Sequence, residues 1–143
     1  MRGKLPRRQA PPKLIEAHQC FTDGELETAA ILYFELAEKA AQRDLPQAPN
    51  LYQRSGIAWI KAGYEDQGID SIKEGLNILI SNESWIPLRR LSLITMELLQ
   101  QEGQHDLAEK IRDWVNEKIP GEIKDRDFWK TTLIEEKNSQ VKL

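Results

Sequence analysis

The chain has 143 residues, 40% hydrophobic and 30% charged, with a formal net charge of -3. That is one domain's worth of chain, able to bury a core, and nothing global in its charge points to nucleic acid or membrane. No run approaches the roughly 20 apolar residues of a membrane span, the basic N-terminus lacks the apolar core of a signal peptide, and the single cysteine, Cys20, excludes an internal disulfide. We therefore expect a cytoplasmic protein.

The elements follow in order. Residues 1–12 hold three prolines and the bases Arg2, Lys4, Arg7 and Arg8, with no acid. Proline removes backbone donors and disfavours helix in the preceding residue, so this reads as a flexible basic arm. From Lys13 the pattern is helical: Leu14, Ile15, Ala17, Cys20 and Phe21 fall at helical spacing until Asp23-Gly24. A second stripe, Leu26, Ala29, Ala30, Tyr33, Leu36, Ala37 and Ala40, predicts an amphipathic helix ending near Arg43. Residues 44–49 read as a linker. Asn50, after Pro49, is the expected N-cap of a third helix running to Ala62, with Gly63 as its stop. The fourth helix is expected over 65–80, the fifth over 86–101 with Pro87 in its first turn, and the sixth over 105–118, ended by Pro120-Gly121. In the charged tail, Phe128, Trp129, Leu133 and Ile134 suggest one face of a short seventh helix. No segment alternates as a strand does.

The breaking glycines Gly24, Gly63 and Gly103 lie 39 and 40 residues apart, each between two amphipathic helices. Aligning on them aligns Cys20, Trp59 and Leu99, then Ala17, Gly56 and Met96, and past the turn Ala29, Gly68 and Ala108. Small residues at that last position let paired helices approach closely. Three related helix pairs result, about 13–45, 50–82 and 86–120. One pair cannot bury its own apolar face, so about three is the minimum for such an array.

These residues resemble the tetratricopeptide-repeat (TPR) family. Gly56 and Trp59 match its small residue and aromatic on a first helix, Ala29 and Tyr33 its alanine and aromatic on a second, and Pro120 its closing proline. The departures are the longer spacing, Arg112 at the third pair's aromatic position, and Glu16, Ser55 and Thr95 where the family is usually apolar. The resemblance implies an all-α fold: a right-handed stack of three antiparallel helical hairpins, with the Phe128/Trp129 helix as C-terminal cap. It also implies a concave groove lined by first helices. In the family register the groove residues are Leu14, His18, Phe21 and Thr22, then Gln53, Ile57, Ile60 and Lys61, then Arg90, Leu93, Glu97 and Gln100. Such a mix of apolar anchors and polar rim suits a peptide or helix from a partner. The family's carboxylate clamp is argued against, because its positions fall on Leu14, His18, Gln53 and Ile57, which offer few cations.

Other candidates weigh less. His18 and Cys20, two apart on a helix, point to different faces and lack further ligands, so no metal is expected. No nucleophile motif, phosphate loop or dinucleotide pattern occurs, so neither catalysis nor a cofactor is expected. Trp59 and Trp114 lie on apolar stripes and read as core, whereas Trp85 and Trp129 are candidate exposed anchors or caps. The expected function is a non-catalytic protein-interaction module. The alternative is a nucleic-acid-associated regulatory domain using the basic arm, which the acidic body and the absence of interleaved aromatics oppose. The sequence leaves self-association open.

Overall fold

The computed structural model describes residues 11–124 and 128–130. Among them every regular element is helical: α1 (Pro12–Thr22), α2 (Leu26–Gln42), α3 (Ala48–Lys61), α4 (Glu65–Ser81), α5 (Trp85–Gln101), α6 (His105–Lys118), a single turn α7 (Gly121–Lys124) and a 3-10 turn (Phe128–Lys130). The protein is all-α, and no described helix is long and apolar enough to cross a membrane.

Five helices end in one way. Gly24, Asp44, Gly63, Glu83 and Gly103 have left-handed backbone, at intervals of 19 or 20 residues. At each, the left-handed residue's N–H bonds the carbonyl three back and the next N–H bonds the carbonyl five back, as in Gly24 to Phe21 and Glu25 to Cys20, or Glu83 to Ile80 and Ser84 to Leu79. This Schellman closure satisfies terminal carbonyls that would otherwise be orphaned and turns the chain within a few residues. After Gly24, Gly63 and Gly103 the very next residue accepts the first hydrogen bond of the following helix.

Two compact units divide the chain, one ending at Gly75 and one beginning at Leu76, so the boundary falls within α4. In the first, α1 packs on α2 and α2 on α3. Buried Ala29, Ala30, Ala37 and Ala40 keep the side of α2 slim. Between α3 and the first part of α4 the backbones nearly touch. A Cβ at Gly56 would stand 2.6 Å from the Gly68 carbonyl oxygen, one at Gly68 equally near the Gly56 carbonyl, and one at Gly75 2.7 Å from the Pro49 carbonyl. Early residues of α3 thus meet late ones of α4, an antiparallel register that only glycine permits at this distance. Ser55 donates to the Ala30 carbonyl at 2.8 Å and Ser71 to the Tyr52 carbonyl at 2.7 Å. Ser55 is therefore buried without loss, because its hydroxyl has a partner.

In the second unit α5 packs on α6, and the 3-10 turn packs on α5. Leu88, Leu91, Leu99, Leu107, Ile111, Val115 and Phe128 are buried. Thr95, also fully buried, donates to the Leu91 carbonyl one turn back at 2.7 Å.

Several expectations need correction. α3 begins two residues before Asn50, with Gln47 in the cap position, because Pro49 is tolerated where a first-turn N–H has no partner. Ile15, counted in the first apolar stripe, is exposed, as is Ile94 on α5. Trp59 and Trp114, read as core, are half-buried. Trp59 lies edge-on against Tyr64, the contact that accompanies the Schellman closure of α3. Lys118 stands over the Trp114 ring, 5.6 Å from its centroid. Around the expected seventh helix the chain forms α7 and the 3-10 turn; Leu133 and Ile134 lie outside the described residues.

Candidate protein-binding face

The expected binding residues lie on α1, α3 and α5. In the first unit α1 and α3 present part of them on one face. His18 and Phe21 come one turn apart on α1. Arg54, Ile57 and Lys61 come at i, i+3 and i+7 on α3, the spacing of one helical stripe. Tyr33 of α2, with its ring buried, reaches this face with its hydroxyl.

The hydroxyl is the hub. His18 Nδ1 and Tyr33 Oη are hydrogen-bonded, their ring centroids are 5.4 Å apart, and the Arg54 charge acts on both groups. Burial first, then the nearby Arg54 charge, holds His18 below the ordinary histidine range. A neutral imidazole accepts at Nδ1 from the Tyr33 O–H. Burial raises the Tyr33 pKa, and Arg54 opposes that rise. One turn on, Lys61 Nζ stands over the Phe21 ring, 5.8 Å from its centroid, tying α3 to α1. The face so presents a guanidinium, an ammonium and an imidazole among aromatic rings.

The sequence-predicted residues separate here. Leu14 and Phe21 are half-buried, and His18 and Lys61 are exposed. Gln53, Ile57 and Ile60 are buried, and Ile60 fills the space left by the missing Cβ of Gly68, so it faces α4. Gln53 and Ile57 were two of the positions used to argue against a carboxylate clamp; Arg54, which that register passed over, stands exposed beside His18. The signal for it was available. Gln53 shares a stripe with Gly56 and Ile60, which pack on α4, so the next residue, about 100° around the helix, turns outward. In the second unit Arg90 and Glu97 are exposed and Leu93 is half-buried on α5.

The remaining chemistry is quiet. Cys20 is buried, and its thiol pKa is raised by burial first and then by the nearby Glu25 carboxylate, the opposite of what activates a cysteine. Among the described residues no group of three or more His, Cys, Asp or Glu is placed to hold a metal ion. Of the tryptophans considered as anchors, Trp85 is half-buried at the start of α5. Trp129 donates to Asn116 Oδ1 at 2.7 Å, and the Arg112 guanidinium lies 5.3 Å from its ring centroid. Arg112, at the third pair's aromatic position, thus has its ring supplied by the tail.

No family model matches the sequence, and neither a curated protein nor a solved structure matches it.

Proposed function

We propose that this chain is a non-catalytic protein-interaction module, a TPR-like stack of three helix pairs that holds a peptide or helix of a partner protein against its first helices. The observation that carries this reading is the His18–Tyr33–Arg54 cluster with Phe21 and Lys61 beside it. Tyrosine and arginine are the side chains enriched at binding hot spots, and here the Tyr33 hydroxyl is prepositioned by its hydrogen bond to His18, which lowers the ordering cost of a bound partner. Arg54 can present further N–H donors to a carboxylate or carbonyl while the rings hold apolar groups. The recurring left-handed helix ends, at 19 or 20 residues, support the repeat on which the TPR resemblance rests. A nucleic-acid role would rest on Arg2, Lys4, Arg7 and Arg8, which lie outside the described residues.

The test is affinity capture from native lysate with the purified chain, beside the double variant Arg54→Glu and Lys61→Glu checked by circular dichroism. Both side chains are exposed, so the fold is expected to survive. One protein retained by the wild type and lost with the variant is the expected result. Identical retention by both contradicts the reading.

A further inference from the structure

Away from this face, the first unit holds a cleft of about 530 Å³ bounded by the start of α1, the second half of α2, and the segment entering α3. Its wall is apolar: Leu14, Leu36, Ala40, Leu45 and Leu51. Its polar lining includes three cations, Lys13, Lys39 and Arg43, and no carboxylate. The nearby acids of α2 are engaged, Glu35 with Lys13 at 3.3 Å and Glu38 with the Tyr52 hydroxyl. The Lys13–Glu35 pair is solvent-exposed on both sides, so it is worth little and readily exchanges for another carboxylate. Lys39 and Arg43 have no ion-pair partner among the described residues. In a chain of net charge -3, the lining of this cleft is locally basic.

We propose that the cleft is a second docking site, and that its occupant is an acidic peptide segment carrying apolar anchor side chains. The apolar wall takes the anchors, since desolvating several leucines at once is what makes such a pocket attractive. The cations supply charge complementarity, which sets partner choice and on-rate more than it adds affinity.

The probe is a fluorescein-labelled octapeptide with a central Leu-Trp pair flanked by Glu and Asp, titrated with the full chain and read by anisotropy. Saturable binding that weakens with salt is expected. Lys39→Glu with Arg43→Glu, both exposed positions, is expected to weaken it by about tenfold or more. A probe with Lys in place of the acids is expected not to bind, and Lys110→Glu, an exposed position on α6, is expected to leave the affinity within about twofold. Absence of saturable binding, equal binding by the charge-reversed variant, equal binding of the basic probe, or a loss in Lys110→Glu matching that in the rim variant each overturns the proposal. So does dimerisation of the wild type that the rim variant abolishes, since sedimentation would then give the cleft to a second copy of the chain.

Discussion

The unit that ends at Gly75 contains all three tyrosines, and each bonds a side chain of another element: Tyr33 to His18, Tyr52 to Glu38, and Tyr64 to Glu27 at 2.8 Å. The unit from Leu76 contains none. It holds three of the four tryptophans and a leucine- and isoleucine-rich core, and there Trp129 donates to Asn116 across elements. The first unit combines glycine-permitted backbone contact with polar cross-links, which fix geometry and respond to protonation. The second has Ala108 where the first has Gly68. One repeat pattern therefore supports two ways of closing a helix pair, and the face rich in hydrogen-bonded polar groups lies on the unit with the tighter backbone.

The largest expected effect tests the backbone contact. Gly68→Val places atoms into the Gly56 carbonyl and the Ile60 side chain, so we expect more than about 3 kcal/mol of destabilisation in urea titrations. At the matching position of the other unit, Ala108→Gly removes only a methyl group and some helix propensity, costing about 1–2 kcal/mol. Equal losses would erase the distinction between the units. Next, Phe128→Ala opens a cavity against α5 and is expected to cost about 3 kcal/mol. Hydrogen exchange should then rise in α5 and α6 before α1 and α2; the reverse order would show that the 3-10 turn does not support the second unit.

High pH separates the units by charge. Tyr33 and Tyr52 are raised above the ordinary value of 10 chiefly by burial, and Tyr64 chiefly by its hydrogen bond to Glu27. Between pH 10 and those higher values the unfolded chain has released protons that the folded one retains. Their stabilisation is therefore whole below pH 10 and is lost as pH rises through the folded values. Amide protection in α2 and α3 should fall first on alkaline titration, together with the appearance of tyrosinate absorbance. Earlier loss in α5 and α6 would contradict this.

The smallest expected effects come from the helix ends. Gly63→Ala puts a side chain on left-handed backbone and should cost about 1 kcal/mol, whereas Glu83→Gly relieves that strain and should stabilise by about 0.5 kcal/mol. Thermal melts of the two variants read both signs.

The six long helices were legible because their apolar residues recur at helical spacing and glycines punctuate three of the turns. The left-handed ends at Asp44 and Glu83 were not, since neither residue advertises that conformation. The early start of α3 was hidden by Pro49, which reads as a breaker yet suits a first turn. At the candidate face, the family register names His18, Phe21 and Lys61, which reach the surface, and Gln53, which is buried while its neighbour Arg54 is exposed. Tyr33 was read only as a core aromatic, because periodicity reports which way a ring points and not where its hydroxyl emerges. Ile15 and Ile94 show the converse: position on an apolar stripe does not guarantee a neighbour to cover it.

The most direct test of the interaction reading places a photo-crosslinking phenylalanine analogue at Phe21, or at the exposed control positions Asp66 and Glu109, and irradiates native lysate. The account predicts adducts to one protein from Phe21 and none from the controls. Equal adducts from all positions, or adducts from the controls alone, would contradict it.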